Sequence, residues 1–262
     1  MAKKQNKAKA RARTPSKSAR TAKITRTAKS ASRPAKALHK IRFPGESAAY
    51  RSARNALLED EMALRAQIEK VAAKRRKLPI GGKIPENYVF EEIGPEGTRR
   101  QVRLSDLFAP GKDTLIVYSY MFGPKMATPC VSCTSMLDGL EGQSDHVNQR
   151  VNLAVVAKSP IDRVMTVASD RGWKRLRLLS SAGNTYNHDY HGESENEDQR
   201  PSLNVFVKRN GAIHHFYHSE LLYAPGDKGQ DARHIDMYWP LWNLFDATPE
   251  GRGTSWYPRL SY

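Results

Sequence analysis

Residues 113–133 read DTLIVYSYMFGPKMATPCVSC: an apolar run, a break and a pair of cysteines. Asp113 to Phe122 is β-branched and aromatic without alternation, the pattern of a central strand buried on both faces. Gly123-Pro124 stops it. Beyond the cysteines, Thr134 to Arg150 has helical character, with Met136, Leu137, Leu140 and Val147 on its inward side. Cys130 therefore falls at a strand-to-helix junction and Cys133 one turn further on. A thiol attacks a disulfide only as the thiolate, and the unpaired N–H groups and dipole at a helix N-terminus favour that charge. Cys133 is then placed to attack a mixed disulfide formed at Cys130.

Working outward, Asn152 to Ala157 (NLAVVA) is a second buried strand. Ser159 is expected to cap a helix that starts with Pro160 and ends near Arg171. Leu176 to Leu179 reads as a third strand and residues 182–200 as a long polar loop. Ser202 to Lys208 and Ala212 to Tyr217 flank Asn210-Gly211, whose ready positive φ makes a tight hairpin. Upstream, Tyr88 to Glu92 and Arg99 to Val102 form another hairpin around Gly94-Pro95-Glu96-Gly97. Ser105 is expected to cap a one-turn helix through Phe108. Strand–helix–strand–helix–strand followed by a hairpin gives an α/β class with a mixed sheet flanked by helices.

Tyr50 to Lys77 reads as a charged helix with an apolar stripe at Leu57, Leu64, Ile68 and Val71, expected to dock on its own domain. Arg233 to Phe245 should be a helix bent or split by Pro240. Trp239, Trp242, Phe245, Trp256 and Tyr257 make the C-terminal extension aromatic; such rings can line a substrate groove or a subunit interface, and covering a sheet face is their expected use.

The 262 residues carry 43 Lys+Arg against 27 Asp+Glu, a net charge of +16. Residues 1–40 hold 14 of the basic side chains and no acidic one, leaving 29 basic against 27 acidic elsewhere. The charge therefore describes the tail. Residues 1–45 are expected to be a disordered basic arm, 46–80 an amphipathic helix and 81–262 the α/β domain. Residues 1–40 could contact nucleic acid non-specifically through phosphates, with no aromatic residue there to stack on bases. Two cysteines three positions apart do not make a disulfide-stapled secreted scaffold. No run approaches the ~18 apolar residues of a membrane span, and no apolar leader opens the chain, so a cytoplasmic protein is the expectation.

Two other uses of the pair stay open. A structural zinc site needs four ligands, and with no second C-x-x-C histidines would have to complete it. His188 and His191, near Asp189 and Glu193, are one source; His214, His215 and His218 are another. Adjacent His214 and His215 should point to opposite faces of their strand. A nucleic-acid-associated protein acting through its tail is the other alternative.

Residues 100–122, with RPSLNVFVKRNGAIHHF at 200–216, resemble the thiol-reductase and peroxiredoxin branch of thioredoxin-like proteins. YMFGP before the cysteines, LLSSAGNTYNHDYHGE and HIDMYWPLWNLFDATPEGRGTSWYPRLSY resemble, more narrowly, the bacterial domain-of-unknown-function family eight-nine-nine. Its members are described as predicted dithiol–disulfide oxidoreductases of thioredoxin-like fold, and the likeness covers roughly residues 50–262. The resemblance implies Cys130 and Cys133 as the redox pair, acting on a protein or small-molecule disulfide or thiol, with no bound organic cofactor. It also implies substrate orientation by Pro201 and the backbone of Arg200 across a cis Arg200–Pro201 bond. Copper-delivery proteins of this fold join a cysteine pair to a distant histidine, which keeps the metal alternative in view. Val131-Ser132 replaces the Gly-Pro of thioredoxin, and no Trp precedes Cys130, so the direction of electron flow is open. Peroxiredoxins carry Thr or Ser three residues before their reactive cysteine. Ala127 stands there in this chain, which disfavours a peroxidase.

Overall fold

The computed structural model describes residues 38–228, 233 and 235–262, so the expectations for the basic arm over residues 1–37 fall outside the described residues. The chain divides into units at Lys70–Val71, within a helix, α1 (Ala48–Arg76). At the start of α1 the Ser47 hydroxyl accepts the Tyr50 N–H at 3.1 Å, and Lys74, Arg75 and Arg76 close it with the charge that suits a helix C-terminus. Leu57, Leu64 and Ile68 are exposed along α1.

The second unit is built on one seven-stranded sheet. Its strands are β1 (Val89–Ile93), β2 (Arg99–Arg103), β3 (Thr114–Tyr120), β4 (Asn152–Ala157), β5 (Leu178–Ser180), β6 (Ser202–Arg209) and β7 (Ala212–His218). The spatial order is β2-β1-β5-β4-β3-β6-β7. β3, β4 and β5 are parallel, joined through α2 (Val131–Arg150) and α3 (Ile161–Arg171). β6 and β7 extend the β3 edge antiparallel, and β1 and β2 extend the β5 edge. The mixed α/β architecture expected from the strand and helix order is present.

Two cores cover the two faces of the sheet, and strand alternation sorts residues between them. On the α2/α3 face lie Tyr118, Tyr120, Leu153, Val155 and Ala157 with Met136, Leu137, Val164 and Trp173. On the other lie Leu115, Val117, Ala154 and Val156 with Tyr88, Phe90, Tyr186 and Phe206.

Local departures from expectation have local causes. The one-turn helix after β2 is a 3-10 turn, Leu104–Leu107, preceded by Arg103; Ser105 lies inside it. Pro160 takes the N-cap position of α3, while the Ser159 hydroxyl donates to Gly123 O at 3.0 Å. The polar loop contains a short helix, α4 (Tyr186–Asp189), with Tyr186 and Asn187 buried. Pro240 begins rather than bends α5 (Pro240–Asp246), a position where its missing N–H costs nothing. Among the described residues no helix is long and apolar enough to cross a membrane.

Candidate active site

The lead-in to the cysteines is clamped. The Arg163 guanidinium lies over the Phe122 ring, 4.5 Å from its centre. It donates to the carbonyls of Gly123 (3.3 Å), Pro124 (3.1 Å) and Met126. The Cys130 N–H donates to Met121 O at 3.0 Å. From the helix side, the Thr134 hydroxyl donates to Cys130 O at 2.9 Å, and the Tyr120 hydroxyl meets Thr134 Oγ1 at 2.7 Å. Cys130 is thus the N-cap residue of α2, in extended conformation, with the helix dipole beginning at its own position.

Both cysteines are free thiols; Cys130 is half-buried and Cys133 fully buried. Their acidities are pushed apart. The Cys133 thiol donates to the Cys130 sulfur and lowers its pKa to about 6, against the opposing effect of burial, with help from the N–H groups of Cys133 and Ser132 and the Ser132 hydroxyl. Cys133 is held well above the ordinary thiol range, first by that same bond to Cys130 and then by burial and the neighbouring charge. Below Cys133 lies Tyr118. Its buried hydroxyl has no partner of ordinary hydrogen-bond geometry, and it stands near enough to Cys133 to favour a thiolate there.

Cys130 opens into a cavity of about 330 Å³. Met121, Ser132, Cys133 and Pro201 form its floor, and Trp239, Trp242, Asp236, Arg252 and Tyr257 from the C-terminal segment bound it above. The Ser132 and Tyr257 hydroxyls are hydrogen-bonded. Either hydroxyl can be the donor in that pair. Trp239 is buried in the α2/α3-face core as expected of these aromatics while also lining the cavity with Trp242 and Tyr257; Trp256 and Tyr257 are exposed.

Pro201 was expected beside the dithiol and lines the same cavity. The Arg200–Pro201 bond, expected to be cis, is trans, since the described residues contain no cis peptide. The Arg200 N–H donates to Gly192 O at 2.8 Å, which fixes the extended chain leading into β6. The Arg200 side chain is exposed and does not line the cavity.

The histidines go elsewhere. In β7 the pairing steps from Val205↔Tyr217 to Phe206↔His215, leaving Phe216 as a bulge. The extra residue restores His218 to the face of His215, with ring centres 6.5 Å apart. Together with His191 and Tyr223 they line a separate cavity beyond β6 and β7. His215 packs on Phe206 and Tyr190, in the core opposite the dithiol. Burial lowers the pKa of His218 to about 4. Among the described residues no histidine lines the dithiol cavity, and no group of three or more His, Cys, Asp or Glu is placed to hold a metal ion.

A family model described as "Bacterial protein of unknown function (DUF899)" matches residues 40–262. The chain belongs to that family. No curated protein matches this DUF899 chain. Among solved structures it is similar to a mitochondrial 2-Cys peroxiredoxin from Plasmodium falciparum. The identity is 14% and the TM-score 0.41, over 61% of this chain and 93% of the other. A reduced 2-Cys peroxiredoxin from Plasmodium vivax gives 17% and 0.41, over 60% and 94%. The exposed lipoprotein thioredoxin Etrx1 of Streptococcus pneumoniae gives 16% and 0.35, over 57% and 96%. The fold of this DUF899 member is thioredoxin-like in its own topology: a central parallel strand delivers a cysteine pair to a helix N-terminus, and an antiparallel hairpin completes the sheet.

Tyr118 is a site residue that strand alternation could have found, because it shares a face with Tyr120 two residues on. Tyr257 stood among the aromatics that could line a groove, but its contact with Ser132, 125 residues away, had no signal in the sequence.

Proposed function

We propose that this protein is a dithiol–disulfide oxidoreductase in which Cys130 attacks and Cys133 resolves. The single observation that supports it most is the placing of the pair: Cys130 is the N-cap residue of α2 and opens to a cavity, with Cys133 buried one turn on. That arrangement lowers the pKa of the first thiol to about 6 and raises that of the second. At neutral pH a thiol of that acidity is about nine-tenths thiolate, against a few per cent for an ordinary cysteine.

The Cys130 thiolate attacks one sulfur of a disulfide R–S–S–R′, forming a mixed disulfide and releasing R′S⁻, which takes a proton from solvent. Formation of the mixed disulfide removes the negative charge on Cys130, and with it the main reason for Cys133 to keep its proton. Cys133 then ionises with the Tyr118 hydroxyl beside it and attacks the Cys130 sulfur. The products are a Cys130–Cys133 disulfide and RS⁻. Two electrons pass from the dithiol to the substrate, and the reverse sequence oxidises a dithiol. Pro201 shapes the floor on which the partner lies.

The test compares wild type with Cys130→Ser and Cys133→Ser in disulfide reduction by the reduced protein. Activity is expected to vanish in Cys130→Ser, and a mixed disulfide to accumulate in Cys133→Ser, detectable by intact mass. Equal activity in all three would end the proposal.

A further inference from the structure

The walls of the cavity over Cys130 specify the kind of disulfide it can take. Its floor belongs to the α/β domain, but much of its upper boundary comes from residues 236–257, beyond the last strand. That segment is tied down at several points. Arg252 is bonded to Asp236 (2.6 Å) and to Asp246 (2.7 Å), and it lies over the Trp242 ring at 5.7 Å. Arg233 pairs with the same two carboxylates, at 3.5 and 3.1 Å. Trp239, the N-cap residue of α5, is buried in the core beside Met136 and Tyr118. Arg171 donates to Leu260 O at 2.6 Å, and the Tyr257 hydroxyl meets Ser132 directly beside the reactive thiol. The ion pairs close the segment on itself, while Trp239 in the core, Leu260 on Arg171 and Tyr257 on Ser132 hold it to the domain, so it is a wall and not a loose flap.

Size and charge follow. A space of 330 Å³ has the volume of about ten water molecules, at the small end of pockets that take low-molecular-mass ligands. A disulfide in a folded protein is flanked by four chain segments, which such a space does not admit. The two arginines at the rim, Arg233 and Arg252, pair with Asp236 in the wall and with Asp246 behind it, and apolar faces come from Met121, Pro201, Ile235, Trp239, Trp242 and Tyr257. Aromatic faces of this kind favour flat apolar arms.

We infer that the C-terminal segment restricts Cys130 to low-molecular-mass disulfides and excludes disulfides of folded proteins. This rests on the exchange chemistry proposed above. In one turnover the reduced protein and R–S–S–R give the Cys130–Cys133 disulfide and two RSH, so electrons and protons balance without another reactant.

The experiment is single-turnover oxidation of the full-length reduced protein by bis(2-hydroxyethyl) disulfide and by the interchain disulfides of insulin. Each rate is divided by that of dithiothreitol with the same disulfide, which removes intrinsic reactivity. The normalised rate should favour the small disulfide by more than about tenfold, a discrimination of the size a shaped pocket provides. Trp242→Ala, which opens the wall, should bring the ratio down at least about threefold. A wild-type ratio below about ten overturns the inference on folded wild-type protein alone, whatever the variant does. Cys130→Ser separates the two levels of argument. Cys130-dependent turnover of both substrates at equal normalised rates sinks only the restriction, whereas turnover indifferent to Cys130→Ser sinks the exchange chemistry and the restriction with it.

Discussion

At Cys130 the chemistry is set by hydrogen bonds that reach a single sulfur atom. The Cys133 thiol, two backbone N–H groups and the Ser132 hydroxyl converge on it, and together they outweigh the burial that would keep it protonated. The consequence is measurable. The rate at which iodoacetamide alkylates Cys130 should rise with pH around a midpoint near 6, because only the thiolate reacts. A midpoint at the ordinary thiol value of about 8.5 would show that these donors do not act on the sulfur. Cys133 should resist alkylation over the same range, being buried and held protonated by its neighbour. The C-x-x-C spacing pointed to this pair from the sequence. Which sulfur carries the charge was legible only in part: the strand-to-helix junction favoured Cys130, but Ser132 counted there merely as a departure from Gly-Pro.

Elements formed where local chemistry and pattern agreed. β4 runs from Asn152 to Ala157 as its unbroken apolar run requires, and β6 and β7 meet across Asn210 and Gly211, with φ of 52° and 77°. Gly211 faces open space, so a methyl there meets no neighbour and the cost of Gly211→Ala is conformational alone. That substitution should lower stability by about 1 kcal/mol, read from the urea midpoint with an unchanged slope. No measurable loss would show that the turn changes type on substitution. The elements misjudged from sequence were short or aromatic. α4 is one turn long, and its burial depends on Tyr186 packing against Tyr88 and Phe90 from β1 and the segment before it. The C-terminal helix is shorter than its apolar pattern suggested, since Pro240 favours a first turn over a bend.

Across the molecule, the β1–β2 hairpin illustrates how little backbone pairing holds one edge. Its register with β5 rests on Glu91↔Ser180. Side chains supply the rest. Glu92, only 3% exposed, takes Arg177 at 2.7 and 3.0 Å and Arg100 at 2.9 Å. Burial pushes the Glu92 carboxyl upward, but Arg177 and then Arg100 bring it below its usual value of 4.5. A depressed carboxyl contributes stability that is complete above that ordinary value and is lost as pH falls through the lower folded one. Glu92→Ala should therefore cost about 2 kcal/mol at neutral pH, a typical value for charge-assisted bonds whose partners regain water when freed. The deficit relative to wild type should shrink in acid. A deficit that stays constant down to the lowest pH at which the protein folds would assign the cost to packing instead.

The sequence by itself determined the strands, the helix that carries the dithiol and the hairpin after it, because each follows from periodicity and turn chemistry within some twenty residues. It also placed Pro201 beside the cysteines through family resemblance. The tertiary structure alone decided that Arg200–Pro201 is trans, that a bulge at Phe216 sends His215 and His218 to the far side of the sheet, and that Tyr257 meets Ser132 across 125 residues. Contacts of that kind depend on register and on which surfaces remain to be buried once the sheet has formed, and neither is written in any local stretch of chain.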